Sequence, residues 1–171
     1  MMRKRSFGTA VCIWILAWAA ISPVAAEEAA EPADPLQAGL AAIDEGDLIG
    51  AVESLQLAAD EGSAEAQAWL GYIYDYAEED ELAVQFYRAA AEKGNVRGIA
   101  GLGEMYAKGE GIEQDLDEGR RYFTRAAEMG HKESMRALIA AYEKGGLGVE
   151  PDAGQADYWK SRLADAETDK Q

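Results

Sequence analysis

The segment from Gly109 to His131, GEGIEQDLDEGRRYFTRAAEMGH, holds the most obvious candidates for chemistry in this sequence. It combines two glycines around a glutamate, several carboxylates, an arginine pair and the only histidine of the chain. Residues of these types build phosphate-binding loops and acid–base sites. Whether they do so here depends on whether the pattern occurs once, and on which elements surround it.

Each catalytic interpretation of this segment lacks a required part. The glycine pairs 101/103 and 109/111 follow predicted helices, whereas a phosphate loop follows a strand. His131 alone cannot form a two-histidine metal site, and we expect no serine beside a suitable base. No two carboxylates stand out as an acid–base pair. We therefore predict no catalytic, cofactor-binding or metal-binding residues, and we favour a helix-junction role for His131 over a role as catalytic base.

Residues 1–26 have the order of a secretory signal, with a basic start, an apolar run over residues 7–21 and small residues ending at Ala26. The run is 15 residues long, whereas a membrane-spanning helix needs roughly 20. We expect cleavage after Ala26 rather than retention as an anchor, and either fate leaves the rest outside the cytoplasm. Cys12 lies within the run, so the mature chain has no thiol for catalysis, zinc or a disulfide.

The expected mature chain, residues 27–171, is strongly acidic. The signal contains three of the 16 basic side chains and none of the 32 acidic ones, which leaves a formal charge of about −19. Such a field repels phosphate backbones and anionic lipids, so we expect neither a nucleic acid nor a membrane surface as a partner. It favours a basic or neutral protein partner, although solubility would explain it equally well.

The glycine-terminated motif at the end of the segment recurs. AAEMG ends at Gly130, AAEKG at Gly94 and AADEG at Gly62, which gives spacings of 36 and 32 residues. A second series keeps the same phase and pairs a leucine with a tyrosine four residues later, at 70 and 74, 102 and 106, and 138 and 142. Two series at one period of this length predict an array of stacked repeats.

The apolar spacing within each period is helical. Ala66, Leu70 and Ile73 share one helix face, and Leu82 and Phe86 share another. Asp, Ser and Asn residues mark helix starts, and glycines mark helix ends. The predicted pairs are 35–45 with 48–61, 64–77 with 80–93, 96–108 with 116–129, and 132–144 with 153–165.

Aromatic residues recur at helical spacing, and we predict that they pack in the core rather than stack on a ligand. They are Tyr74, Tyr106, Tyr142, Phe86, Tyr122 and Trp159. Trp69 stands where the next two repeats have Gly101 and Ala137, so it either seals the first helical pair or presents a surface. Small residues such as Gly71 and Gly103 let neighbouring helix backbones approach closely.

The motif order x-Leu-Gly-x-x-Tyr, Gly-x-Gly-Ile/Val-x-x-Asp, Gly/Ala-x-x-Tyr/Trp and Ala-Ala-Glu-x-Gly-His resembles the Sel1-like repeat of the tetratricopeptide-like superfamily. Residues 100–131 match nearly every position, residues 66–95 have the shorter loop DYAEEDE, and the last unit has Ile139 where the family prefers glycine. The resemblance implies an all-α fold, a right-handed α-solenoid of stacked antiparallel helix pairs, of the type that bacteria export.

The expected organisation follows from this resemblance. It comprises a signal peptide at 1–26, a polar linker at 27–34, a divergent N-terminal helical pair at 35–63, three repeats at 64–94, 95–130 and 131–165, and a polar tail at 166–171. The divergent pair and the polar tail would cap the ends of the stack, so we expect a monomer.

The resemblance also implies protein–protein interaction without catalysis. In the related tetratricopeptide arrangement, the first helix of each pair lines an inner groove. Position by position, this nominates as partner-binding residues Tyr72, Tyr76, Arg97, Glu104, Lys108, Arg136, Glu143 and Lys144. Their basic members would make the groove less acidic than the outer face, unless they are ordinary surface residues.

We therefore expect a periplasmic or secreted adaptor that binds a segment of another envelope or secreted protein. One alternative is a cell-wall-associated enzyme or inhibitor acting on peptidoglycan, which as an enzyme needs a catalytic constellation that the sequence does not reveal. The other is a secreted effector that binds a host protein. It differs from the adaptor in destination alone, so fractionation would separate the two.

Overall fold

The structure is a computed structural model that describes residues 34–168. Within that range the chain forms eight α-helices and no strand. None of these helices combines the length and the apolar character that crossing a membrane requires. The helices are α1 (Pro35–Glu45), α2 (Leu48–Asp60), α3 (Ala64–Tyr76), α4 (Asp80–Glu92), α5 (Val96–Lys108), α6 (Leu116–Glu128), α7 (Lys132–Lys144) and α8 (Ala153–Thr168).

The helix boundaries follow from side-chain caps and left-handed glycines. The side chains of Ser63 and Asn95 accept hydrogen bonds from the backbone N–H groups three residues on, at 3.2 and 3.0 Å. Each thereby satisfies one of the donors that a helix start leaves unpaired. Gly109 ends α5 with a φ of 78°, a left-handed conformation that glycine adopts without steric cost. The predicted helix ends are thus confirmed to within one residue, except that α8 continues to Thr168.

The helices form four antiparallel pairs that stack side by side. Each helix packs on the next one along the chain, and the first helices of successive pairs also touch, α1 with α3 and α3 with α5. The first helices therefore form the inner layer of the stack. This arrangement confirms the predicted all-α repeat solenoid.

The hydrophobic core consists of three clusters, which join helices both within pairs and between neighbouring pairs. One cluster joins α2 and α3 around Leu55 and Leu70, and a second joins α4, α5 and α6 around Leu102 and Met105. A third surrounds Leu138. Each fully buried leucine contributes about 2 kcal/mol. Part of this stabilisation comes from contacts between neighbouring pairs, which a single pair could not make.

The predicted core role of the recurring aromatic residues is confirmed. Tyr74 stacks on Phe86 with ring centroids 5.4 Å apart, and Tyr106 stacks on Tyr122 at 5.6 Å. Tyr142 packs against the third cluster, which contains the buried Trp159. These rings tie the two helices of a pair together at equivalent places.

The predicted apolar face of α4 was partly wrong. Leu82, which we expected on that face, is exposed, whereas Tyr87 is almost completely buried. The buried stripe of α4 runs through Ala83, Val84 and Tyr87. Spacing by three and four places Tyr87 with the first two of these residues, while Leu82 lies at the rim of the stripe.

Candidate partner-binding groove

A groove of about 480 Å³ opens on the inner face of the stack, along α3, α5 and α7. The rings of Tyr87 and Phe123, which belong to outer helices, reach its floor between the inner helices. Ala100 and Ala137 complete an apolar floor, and the half-exposed ring of Tyr72 stands beside it.

Small residues on the inner helices create this space. Gly101 occupies the position that Trp69 has in the preceding repeat and Ala137 has in the following one. A β-carbon on Gly101 would lie 2.5 Å from the ring of Tyr87, and one on Gly71 would lie equally close to it. Both distances are far below van der Waals contact, so only glycine at these positions leaves room for the tyrosine.

Arg97 projects from the first turn of α5 at the side of the groove. Its guanidinium carbon lies 3.7 Å from the centroid of the Trp69 ring on α3, a cation–π contact. Tyr72 meets the same tryptophan edge-on, with centroids 5.9 Å apart. The sequence left open whether Trp69 seals the first helical pair or presents a surface, and it does both. It packs on the first core cluster and supports surface residues of the groove.

Lys108, at the end of α5, is held by two carboxylates. Its ammonium nitrogen lies 2.8 Å from Glu104 and 3.2 Å from Glu110. The hydrogen bond to Glu104 raises the pKa of Lys108, with smaller contributions from the charges of both carboxylates, so the lysine stays protonated at neutral pH. The trio carries a net negative charge, and Lys108 is not an unpaired cation.

His131 is the N-cap of α7 and stands where the two preceding inner helices have Ser63 and Asn95. Its Nδ1 accepts a hydrogen bond from the backbone N–H of Ser134 at 3.2 Å. Burial lowers the pKa of His131, opposed by the Glu133 charge, whose carboxylate lies 3.5 Å from Nε2. The predicted helix-junction role of His131 is therefore confirmed.

The expectation that no serine lies beside a suitable base was wrong. The Oγ of Ser134 lies 2.9 Å from His131 Nδ1, and Glu133 faces the other ring nitrogen. This order imitates a catalytic triad, but the Ser134 side chain is fully buried at the edge of the groove. Nδ1 is also already the acceptor for a backbone N–H. The three residues form a helix cap.

The family model described as Sel1 repeat matches residues 64–95, 96–131 and 137–166, more than half of the chain. The chain belongs to the Sel1 repeat family. Proteins built from Sel1 repeats generally act in protein–protein interaction. All three matched repeats contribute to the lining of the inner groove, and only Glu133 and Ser134 of that lining fall outside the matched residues.

The similar proteins are longer than the part of them that this chain matches. A Sel1 repeat protein from Oxalobacter formigenes of known crystal structure is 29% identical, with a TM-score of 0.69 over 77% of this chain and 55% of that one. The rat and mouse proteins named DAP3-binding cell death enhancer 1 are 33% identical over 90 residues and 35% identical over 94 residues. In both cases 52% of this chain is covered, and the match spans 18% of the mammalian protein.

The structure brings half of the predicted groove residues together around the Sel1 groove. Its lining includes Tyr72, Arg97, Glu104 and Lys108. Tyr76 lies outside it, at the edge of the solenoid where α3 ends.

The three predicted residues on α7 also lie outside the groove lining. Arg136 pairs with Glu133 and with Glu167 of α8, both at about 3 Å. Glu143 pairs with Lys160 of α8 at 2.8 Å. Lys144 ends α7 and is exposed. The two ion pairs fasten the last inner helix to α8, so these side chains are turned towards the end of the Sel1 stack.

Sequence reasoning missed the floor of the groove. Tyr87 and Phe123 occupy equivalent positions of α4 and α6, 36 residues apart, and both line the groove. Their repetition was a usable signal, because it continues the same period as the glycine-terminated motif. The groove positions were carried over from the tetratricopeptide arrangement, in which the first helix of each pair lines the groove. Tyr87 and Phe123 lie on second helices and were therefore not considered.

Proposed function

We propose that the protein is a non-enzymatic adaptor of the bacterial envelope that binds a segment of a partner protein in the inner groove. The observation that carries the proposal is the composition of that groove. An apolar floor of aromatic rings and alanines lies open between charged side chains. Interfaces that bind protein segments have this character, with aromatic anchors at the centre and a polar rim.

The rim of the groove is held in place before a partner arrives. Arg97 rests on Trp69, and Lys108 is fixed between Glu104 and Glu110. Side chains that are already ordered lose less conformational entropy on binding. The groove therefore suits an extended or helical segment whose apolar side chains reach Tyr87 and Phe123.

The charge of the chain favours a neutral or basic partner segment over an acidic one. The rim carries both signs, from Arg97 and Lys108 and from Glu104 and Glu133. The mature chain as a whole is strongly acidic. A neutral or basic segment would approach this surface favourably, whereas an acidic one would be repelled.

Two further lines support the proposal. The mammalian relatives carry the name DAP3-binding, which describes those proteins as binding another protein. The basic, apolar and small residues of the 1–26 segment have the order of a cleaved export signal, which motivates the envelope location.

Blocking the floor of the groove tests the proposal. Ala137→Arg places a long charged side chain in the lining of the groove, and Ala164→Arg on the exposed surface of α8 is the matched control. Affinity purification of the tagged full-length protein from the envelope fraction should recover a partner with wild type and the control. The Ala137→Arg variant should lose it while keeping its helical circular dichroism. Retention of every partner by a folded Ala137→Arg variant would reject the groove, and peptidoglycan hydrolysis by the purified protein would reject the adaptor.

A further inference from the structure

The long loops of the second and third repeats both lie against the start of the preceding outer helix. Residues 109–115 join α5 to α6, and residues 145–152 join α7 to α8. A β-carbon on Gly111 would overlap the backbone of Asp80, the first residue of α4. Arg120 of α6 donates a hydrogen bond to the carbonyl of Leu147 at 2.6 Å. Each loop thus covers the edge of the solenoid where an outer helix begins.

Each long loop also brings an aliphatic side chain to this edge. Ile112 packs against the core cluster that contains Val84 of α4. Leu147 packs against the cluster formed by α6, α7 and α8. In the second and third repeats, an aliphatic side chain of the repeat's own loop therefore covers the edge of the solenoid.

The first repeat has no such loop. Residues 77–79, three in all, connect α3 to α4, in place of the seven and eight residues of the later loops. The corresponding edge, between the start of α2 and the end of α3, is an open groove of about 570 Å³. We call it the edge groove, and its apolar and aromatic lining consists of Leu48, Ile49, Val52, Ile73, Tyr74, Tyr76 and Ala77.

Two residues of the edge groove, Ile49 and Tyr76, are more apolar than their counterparts in the covered repeats. Ile49 is 77% exposed and Tyr76 is 75% exposed. The equivalents of Ile49 are Glu81 in α4 and Asp117 in α6, which are ordinary surface residues. The apolar side chain thus occurs where the covering loop is missing. An exposed apolar cluster of this kind marks a site of interaction.

The rim of the edge groove is acidic. Glu53 and Glu79 line it, and among the described residues no lysine, arginine or histidine contributes to its lining. The charge of the site therefore favours a basic occupant, and its apolar floor favours an aliphatic side chain. The loops of the later repeats show that a turned, glycine-rich backbone with one aliphatic residue fits the equivalent edges of α4 and α6.

We propose that the edge groove binds a glycine-containing loop of a partner protein that presents one branched aliphatic side chain next to lysine or arginine. The segment would lie as the 109–115 loop lies against α4, with its aliphatic side chain over Val52 and Ile73. This site is separate from the inner groove. A partner could therefore engage the solenoid at two places, and the affinities of the two sites would reinforce each other.

The test uses a peptide derived from the loop of the second repeat. The probe is GKGIKQ, the sequence of residues 109–114 with both glutamates replaced by lysine, and GKGSKQ is its control. Titrated into the isotope-labelled protein and followed by amide chemical shifts, the isoleucine peptide should shift the signals of Ile49 and Tyr76. The serine peptide should bind about tenfold more weakly, because it lacks the aliphatic contact.

Protein variants locate the binding. Ile49→Glu should abolish the shifts, whereas Leu57→Glu, at a residue of the same helix that is 61% exposed and outside the groove, should leave them unchanged. Replacing residues 77–79 by GEGIEQD should also abolish them, because the grafted loop would occupy the site. Ala137→Arg, which blocks the inner groove, should have no effect, so this proposal and the proposed function fail independently.

Three results would overturn the proposal. The first is the absence of localised shifts at Ile49 and Tyr76 with the isoleucine peptide. The second is equal binding of the serine peptide. The third is a concentration-dependent dimer in sedimentation velocity that Ile49→Glu disrupts, because a second copy of the chain would then be the occupant.

Discussion

The guanidinium of Arg97 lies over the ring of Trp69, with 3.7 Å between its carbon and the ring centroid. The two residues belong to the inner helices of adjacent repeats, α5 and α3. The contact therefore joins two repeats and fixes a cation at the side of the inner groove. A residue proposed for binding thus also contributes to the stability of the stack.

Loss of this contact should be measurable as a coupling energy. We expect Arg97→Ala to lower the free energy of unfolding by about 1 kcal/mol, because a cation–π pair at a partly exposed site contributes in that range. A double-mutant cycle with Trp69→Leu, measured by urea denaturation, should give a coupling of about 0.5 to 1 kcal/mol. Arg88→Ala, on the exposed surface of α4, is the control and should change stability little. Strict additivity of Arg97→Ala and Trp69→Leu would contradict the contact.

Gly101→Ala should destabilise the protein, although alanine normally favours a helix over glycine by about 1 kcal/mol. The added β-carbon would lie 2.5 Å from the Tyr87 ring, so we expect a loss of about 1 to 3 kcal/mol from overpacking. Most of that loss should disappear in a Tyr87→Leu background. Gly154→Ala, at an exposed site in the first turn of α8, is the control and should be close to neutral. A Gly101→Ala protein as stable as wild type in thermal and urea melts would show that Gly101 and the Tyr87 ring pack less closely than the structure indicates.

Gly111→Ala and Gly94→Ala separate two reasons for glycine in this fold. Both positions have positive φ, 63° and 79°, so alanine costs about 1 kcal/mol at each. Nothing lies within 4 Å of a β-carbon at Gly94, whereas one at Gly111 would meet the backbone of Asp80. We therefore expect the Gly111 variant to lose at least about 1 kcal/mol more than the Gly94 variant. Equal losses in calorimetry would mean that the 109–115 loop does not press on α4.

The His131 cap should make stability depend on pH. Burial lowers the pKa of His131, so the unfolded chain binds the proton first as the pH falls. The contribution of His131 is complete above its ordinary pKa of about 6.5 and decreases below it, because a protonated Nδ1 cannot accept from Ser134. His131→Asn keeps a cap of the kind that Asn95 provides and removes the titration.

Urea melts between pH 8 and pH 5 test this dependence. Wild type should lose about 1 kcal/mol relative to His131→Asn over that range, the size of a helix cap. The carboxylates titrate in both proteins and cancel in the difference. A difference that stays constant with pH would contradict the capping role of His131.

The repeat architecture was predictable because local and long-range signals agree. Ser63 and Asn95 mark helix starts, Gly94 and Gly130 mark helix ends, and the period of the motif requires stacking. The end of α8 was not predictable from such signals. Residues 164–168 contain no glycine or proline that would stop the helix, so the last turn continues past the predicted end at 165.

The candidate site was less predictable, because it depends on contacts between helices. Position-by-position transfer placed Arg97 and Lys108 at the groove, but their engagement with Trp69 and with Glu104 and Glu110 is a tertiary property. The same applies to Arg136, whose position on an inner helix is equivalent to a groove position. Its ion pair with Glu167 depends on the course of α8, which the repeat pattern does not specify.

Site-specific photo-crosslinking tests the central claim, that the inner groove binds a partner protein, most directly. A photoreactive amino acid would replace Glu104 in the groove or, as the control, Gln85 on the exposed surface of α4. Both full-length proteins would be produced in the source organism, illuminated and analysed from the envelope fraction, where we propose that the partner lies. We predict one protein crosslinked through position 104 and absent from the position 85 sample. Identical crosslinks from both positions, or none from position 104, would contradict the claim.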